Sequence, residues 1–250
     1  MLNLNKIELS ELNEYIEKNP NYISLGLEKF TDSNSQEKLK KRAVFNLTSC
    51  YVELAYANYA LESYSDVKPN LIKAAPFAFL RGFDSELRTH NNDWTIQQEL
   101  NICLIFGDAD IINKMSKLAN SYKPSSIMHN ACYLYDLLLI KIGTHQPLEL
   151  SDIDDALSEA KNTKNKDVQQ YIYSLIEAIQ ALTTSNQTLW QESIDKAIAW
   201  HTDECKFGDY KDMLDGFMCL NALTMAKLGK ELHAWHCTTN SLYLPLFLID

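Results

Sequence analysis

The sequence predicts an all-α protein, built as an irregular array of helical hairpins in a tetratricopeptide-like bundle or solenoid. Apolar residues recur at intervals of three and four along most of the chain, the spacing that places them on one face of a helix. Helix, short turn and helix then repeat about every 35 to 45 residues. Glycine and proline number only 7 and 6 among 250 residues, whereas sandwiches, barrels and doubly wound folds need many turn residues.

The chain is expected to fold as one domain over residues 1–250, with a looser N-terminal segment over residues 1–35. Its hydrophobic fraction of 46% is sufficient for a sizeable core. Ser10 is placed to cap a short first helix, which Asn19–Pro20 is predicted to end. A polar stretch, residues 31–36, follows it.

The first long helix is predicted from Val44 to Leu61, and a second begins near Ser65. Pro76 should kink this second helix, because proline removes one backbone donor. Further along, Gly107 ends a helix and Asp108 caps the next one, which gives a helical hairpin with a very short turn.

The segment Ile127–Ile142 is apolar on nearly all sides and should form the most buried helix, ending at Gly143. The last long apolar helix is expected from about Tyr210 to Leu228, with Gly229 as its end. Beyond it, Ser241–Ile249 changes character and predicts a short extended C-terminal tail that packs against the bundle.

The charge balance disfavours nucleic acid as a partner. The formal net charge is −10, and a surface that follows phosphates needs the opposite sign. An acidic chain suits a basic protein partner, although acidity also serves solubility alone. The N-terminus shows no export signal, the six cysteines are scattered and the longest apolar stretch is too short and too polar for a bilayer. These features predict a cytoplasmic protein without membrane contact.

No phosphate-binding loop and no common catalytic motif occurs, so neither a catalytic residue nor a cofactor is expected. His201 and Cys205 are four residues apart, and His233 and His236 form a second pair. Their spacing matches no standard zinc site, which favours packing or capping roles and no metal. Asp136 lies in the most apolar helix, where a structural hydrogen bond to a neighbouring helix is favoured over a role as general base.

A cluster of carboxylates and aromatic residues near residue 210 is the candidate partner-binding surface. Mixed clusters of this kind suit an interface better than a solvated face, because interfaces favour aromatic anchors. A purely solvated face is the alternative. The candidate residues are Asp203, Glu204, Asp209, Tyr210, Asp212 and Asp215.

Three segments of the C-terminal third follow one another in a distinctive order. Lys196–His201 ends a helix near a histidine, Leu214–Gly229 is rich in Leu and Ala and ends in glycine, and Asn240–Leu248 contains Ser-Leu-Tyr-Leu-Pro. In this order they resemble the immunity protein 49 family of bacterial polymorphic-toxin systems. The helical segment Val44–Phe83 is compatible with the same family.

The resemblance implies a cytoplasmic antitoxin without enzymatic activity, which binds a cognate protein toxin delivered by contact-dependent or type VI secretion. Such a protein covers the toxin's active site or locks its conformation. Because an acidic inhibitor would neutralise a phosphate-binding cleft, we expect a basic toxin such as a nuclease. Two alternatives stay open. One is a helical-repeat adaptor with a groove lined by tyrosines, and the other is an enzyme with a polar pocket around Asp136 or His201.

Overall fold

A computed structural model describes residues 1–89, 93–119, 121–123 and 128–250. Every regular element in these ranges is a helix, which confirms the predicted fold class. The α-helices of the described residues are α1 Leu9–Thr31, α2 Glu37–Ala60, α3 Tyr64–Phe83, α4 Asp93–Phe106, α5 Ala109–Leu118, α6 Asn130–Gly143, α7 Leu150–Asn162, α8 Tyr173–Thr183, α9 Gln187–Phe207 and α10 Leu220–His233. The predicted helix start at residue 127 lies outside the described residues.

Consecutive helices pack against each other, and α10 closes the array. The tightest neighbours are α1 with α2, α2 with α3, α3 with α4, and α8 with α9. Helix α10 packs against α4, α8 and α9 at once, so it joins the middle of the chain to its C-terminal part. A short π-helix, Val168–Ile172, leads into α8 and contacts α6, α7 and α9. None of the described helices is long and apolar enough to cross a bilayer.

Helix α1 is longer than predicted. It continues through Pro20 to Thr31, so the predicted end at Asn19–Pro20 is wrong. Packing on α2 compensates for the backbone donor that proline lacks. The buried amide of Asn19 donates from Nδ2 to Glu53 Oε2 at 2.9 Å, and the buried Ile23 continues the same face. Tertiary contacts therefore override a local signal for a helix end.

The loop before α10 was predicted as helix, and this prediction is wrong. Residues 208–219, here called the 208–219 loop, contain turns and a 3-10 turn at Leu214–Phe217, and α10 begins only at Leu220. The side chain of Asn5 bonds to two carbonyl groups that would accept intrahelical hydrogen bonds if this segment were a helix. Its Nδ2 donates to the carbonyls of Tyr210 and Met213 at 2.9 and 2.8 Å.

Gly229 does not end α10, contrary to the prediction. The helix continues to His233, and Ala234 adopts the left-handed conformation at φ 56°. Gly229 instead leaves room for the fully buried indole of Trp190, since a Cβ atom there would overlap Cζ2 of that ring. The indole nitrogen donates to the carbonyl of Met225 at 3.0 Å, which fixes the ring against α10.

The predicted hairpin turn at Gly107 and Asp108 is confirmed. Helix α4 ends at Phe106 before Gly107, and the Asp108 carboxylate accepts from the Ile111 amide at 2.9 Å at the start of α5. The C-terminal tail packs on the array as expected, but it is not extended throughout, because it contains a turn and a 3-10 helix at Leu246–Leu248. Tyr243 is buried there, and its carbonyl accepts from the amide of Cys219 at 2.8 Å.

Replacing Gly229 with alanine should destabilise the fold by about 1–3 kcal/mol, because the added methyl group has to displace the packed indole of Trp190. Urea denaturation measures this cost. Gly208→Ala is the matched control, since its methyl group meets the flexible carboxylate of Glu204 and should cost less than about 1 kcal/mol. An unchanged denaturation midpoint for Gly229→Ala would contradict the packing explanation.

Candidate functional site

A cavity of about 340 Å³ opens where the C-terminal half of α9 meets α4, α10 and the 208–219 loop. Its floor consists of buried side chains, and its mouth consists of more exposed ones. The floor includes Tyr56, Gln97, Asn101, Tyr171, His201, Cys219 and Asn221. The mouth includes Asp167, Trp200, Glu204, Asp209, Tyr210 and Asp215.

The floor is organised by the buried amide of Asn221. Its Oδ1 accepts from the hydroxyl of Tyr135 at 2.9 Å and from the amide of Asn101 at 2.5 Å. Its Nδ2 donates to Gln97 Oε1 and to the hydroxyl of Tyr171, both at 3.1 Å. Four side chains from α4, α6 and the π-helix therefore converge on one residue of α10, which fixes the floor.

Aromatic rings and carboxylates form the mouth together. The indole of Trp200 stacks on Tyr171 with ring centres 4.1 Å apart, and its nitrogen donates to Asp167 at 3.3 Å. Asp215, which also lines the mouth, accepts from Gln98 Nε2 at 3.0 Å. Burial raises the pKa of the Tyr210 hydroxyl, and the nearby charge of Asp215 adds to the rise. The mouth is therefore a negatively charged, partly aromatic surface.

Side chains of α9 hold the backbone of the 208–219 loop. The Glu204 carboxylate accepts from the amide of Asp209 at 3.0 Å. The carbonyl of Gly216 accepts from His201 Nε2 at 2.8 Å and from the Cys205 thiol at 3.1 Å. Since a carbonyl only accepts, His201 carries its proton on Nε2. Burial lowers the pKa of His201 to about 4, so the ring is neutral at physiological pH.

A buried ion pair lies beside the cavity. Arg81, which also lines the cavity, pairs through Nε with Glu99 and donates from Nη1 to Ser49 at 3.0 Å. Burial raises the pKa of Glu99 to about 8, although the guanidinium of Arg81 opposes the rise. Gly82 provides the space, because a Cβ atom there would lie 2.7 Å from Glu99 Oε2. The guanidinium of Arg81 is therefore already held by Glu99 and Ser49.

Comparison with known families decides the identity of the chain. The family model for immunity protein 49 matches residues 92–248, which is more than half of the chain. The chain belongs to the immunity protein 49 family. This membership indicates an immunity protein, whose partner is a cognate protein toxin. Searches of curated proteins and of solved structures give no match.

The family match covers only part of the cavity in this immunity protein. It includes α4, α10, the 208–219 loop and the tail, whereas α1, α2 and α3 precede it. Tyr56 and Arg81 come from the preceding helices and still line the cavity. The site therefore combines residues from inside and outside the matched region.

The structure brings four of the six predicted partner-binding residues to the cavity mouth. Glu204, Asp209, Tyr210 and Asp215 line it. The remaining two, Asp203 and Asp212, are exposed nearby in the chain but do not border the cavity.

Of the floor residues, the amide cluster of Gln97, Asn101 and Asn221 was not predicted from the sequence. Gln97 and Asn101 are polar residues four positions apart within a helix that is otherwise apolar on this face, and Asn221 lies in a similar setting in α10. Buried polar residues on apolar helix faces need partners, and this is the signal that points to such a cluster.

His233 and the buried Asp136 of this immunity protein have structural partners. His233 Nε2 pairs with the carbonyl of Leu182 at 2.8 Å, while His236 is exposed. Within the described ranges no group of three or more His, Cys, Asp or Glu could hold a metal ion. Asp136 accepts from the hydroxyl of Tyr122 at 3.0 Å, which confirms a structural hydrogen bond, but Tyr122 lies between α5 and α6 and not on a neighbouring helix. The enzyme hypothesis placed a pocket at Asp136 or His201, and the cavity borders His201.

The pH dependence of stability should reveal His201. Its pKa is about 4 in the folded chain and ordinarily 6.5, so the unfolded chain binds more protons between these values. The free energy of unfolding should therefore fall as the pH falls through this range. Relative to His201→Gln, whose amide can still donate to Gly216, the loss between pH 6.5 and 4 should be about 3 kcal/mol.

Urea denaturation of both proteins across this pH range measures the effect. Other titrating groups, such as Glu99, contribute to both proteins and cancel in the difference. A difference between the two proteins that does not change with pH would contradict a buried neutral imidazole.

Proposed function

We propose that this immunity protein acts in the cytoplasm, as a single domain, and neutralises a basic antibacterial toxin such as a nuclease. The toxin would reach the cell by contact-dependent or type VI secretion within a polymorphic-toxin system. The immunity protein would cover the toxin's active site and catalyse no reaction itself. Membership of the immunity protein 49 family carries this proposal.

The charge and composition of the cavity mouth support a basic partner. The mouth combines Asp167, Glu204, Asp209 and Asp215 with the rings of Trp200 and Tyr210. Complementary charge accelerates association, and aromatic residues commonly anchor interfaces. The net charge of −10 acts in the same direction at longer range.

The acidic surface extends beyond the mouth. Asp203 and Asp212 are exposed on neighbouring segments, and helix α2 contributes Glu53. Helix α2 packs against the 3-10 turn at Leu214–Phe217, which contains Asp215. Burial raises the pKa of Glu53, and the charge of Asp215 adds to the rise. We name the carboxylates Asp203, Glu204, Asp209, Asp212 and Asp215, with Tyr210, the acidic face.

One observation favours the helical-repeat adaptor as a second candidate function. That hypothesis expects a groove lined by tyrosines, and Tyr56, Tyr171 and Tyr210 line the cavity. An adaptor would bind several peptides weakly, whereas an immunity protein binds one toxin tightly. Affinity and selectivity therefore separate the two functions.

The direct test is expression of the neighbouring open reading frame in a sensitive host, with and without this chain. Killing by the neighbour alone and survival with the chain would support the immunity function and identify the toxin. A neighbour that kills despite the chain, or that is harmless, would count against the proposal and favour the adaptor.

Reversing three charges on the acidic face tests the surface separately. The triple variant Asp209→Lys, Asp212→Lys and Asp215→Lys should weaken toxin binding at least about 100-fold, because like charges then oppose each other across the interface. Calorimetry at low and moderate salt measures the change, which should be larger at low salt.

The matched control changes the net charge equally at another site. Asp154, Asp155 and Glu159 lie on α7, and none of them lines the cavity. Their replacement by lysine should leave toxin binding within about 3-fold of the original value. Full affinity in the variant of Asp209, Asp212 and Asp215 would refute the surface but leave the immunity function intact.

A further inference from the structure

The hydrogen bonds on the cavity floor leave one donor unused. The Asn101 amide is oriented by the backbone carbonyl of Gln97, which accepts from its Nδ2 at 2.5 Å. The same Nδ2 donates to Asn221 Oδ1, so Asn221 presents its Nδ2 to Gln97 Oε1. The remaining group, Gln97 Nε2, lies in a side chain that is only 1% exposed and has no hydrogen-bond partner among the described residues.

An unused donor at this depth calls for an oxygen acceptor, because burial without a partner is costly. The cavity of 340 Å³ has room for on the order of ten waters at about 30 Å³ each. A group much larger than one bridging water therefore fits between the floor and the mouth.

The residues of the mouth favour a different ligand group from those of the floor. The carboxylates of Glu204, Asp209 and Asp215 line the mouth, together with the indole of Trp200. Carboxylates combined with an aromatic face favour a cation, through both charge and the ring quadrupole. A ligand that satisfies both ends carries a cationic nitrogen at the mouth and an oxygen acceptor at the floor.

We propose that the cavity binds a basic amino-acid residue, with its cationic head group among the mouth carboxylates and its carbonyl or carboxylate oxygen accepting from Gln97 Nε2. Free arginine or lysine and a basic residue of a polypeptide share this chemistry. The inference concerns the cavity alone and goes beyond toxin neutralisation. Its test needs no toxin, so its failure and the failure of the proposed function are separate results.

Three probes titrated into the full chain by calorimetry or NMR test the assignment. L-Arginine supplies a cation and a carboxylate, N-acetyl-L-argininamide supplies a cation and the carbonyls of an internal residue, and agmatine supplies the cation alone. We expect a dissociation constant of about 1 mM for L-arginine, which is ordinary for a ligand of this size. Agmatine should bind about 10-fold more weakly, because it offers no acceptor to Gln97.

The two acceptor-bearing probes distinguish the sources. Binding of N-acetyl-L-argininamide as tight as that of L-arginine shows that the site accepts a residue within a polypeptide. Binding of L-arginine alone shows a site for the free amino acid. Either result supports the basic-residue assignment.

Two variants locate the ligand. Gln97→Leu should weaken L-arginine about 10-fold and leave agmatine unchanged, while Asn221 Nδ2 keeps its bond to the Tyr171 hydroxyl. Asp215→Asn, at an exposed position, should weaken both ligands and preserve folding. Gln187→Leu, an exposed position at the start of α9, is the control and should change neither affinity.

The proposal is overturned if L-arginine fails to bind at tens of millimolar, or if agmatine binds as tightly as L-arginine. Equal affinity in Asp215→Asn and the original chain would also overturn it. Because Asp215 is exposed, this result can be read even if Gln97→Leu does not fold.

Discussion

The site depends on the hydrogen bonds made by the buried side-chain amide of Asn221. A carboxamide inside a helical core is costly unless its donors and its acceptor are used, and here each is bonded to a neighbouring element. These bonds set the position of α10 relative to α4, α6 and the π-helix. The 208–219 loop directly precedes α10, so the position of α10 fixes the C-terminal end of the loop.

The rest of the loop is fixed from both ends of the chain. Asn5 binds two of its carbonyls, His201 and Cys205 bind a third, and the tail residue Tyr243 accepts from the amide of Cys219. A loop held at so many points presents its carboxylates in a defined geometry. Pre-organisation of this kind reduces the entropy lost on binding a partner.

Apolar residues recur every three to four positions because one face of each helix is buried, and this periodicity predicts the helical class. It also predicted the hairpin turn at Asp108, where the cap is local. It failed at Pro20, at Gly229 and in the 208–219 loop for a common reason. Each depends on a distant residue, namely Glu53, Trp190 and Asn5, that competes with or replaces a local preference.

The candidate site could be predicted from the sequence only in part, because some of its contacts join residues that are distant in sequence. A local run of carboxylates and aromatic residues indicated the acidic face, since its members are close in sequence. The floor joins Gln97 on α4 to Asn221 on α10, 124 positions apart. Spacing shows that such residues lie on apolar faces, but only tertiary structure shows which partners they meet.

Hydrogen–deuterium exchange of the chain with and without its neutralised toxin tests most directly whether the acidic face binds the toxin. If the face binds the toxin, the amides of residues 204–219 should gain protection in the complex, while α7 should not change. Protection confined to other elements, with residues 204–219 exchanging as in the free chain, would contradict the account.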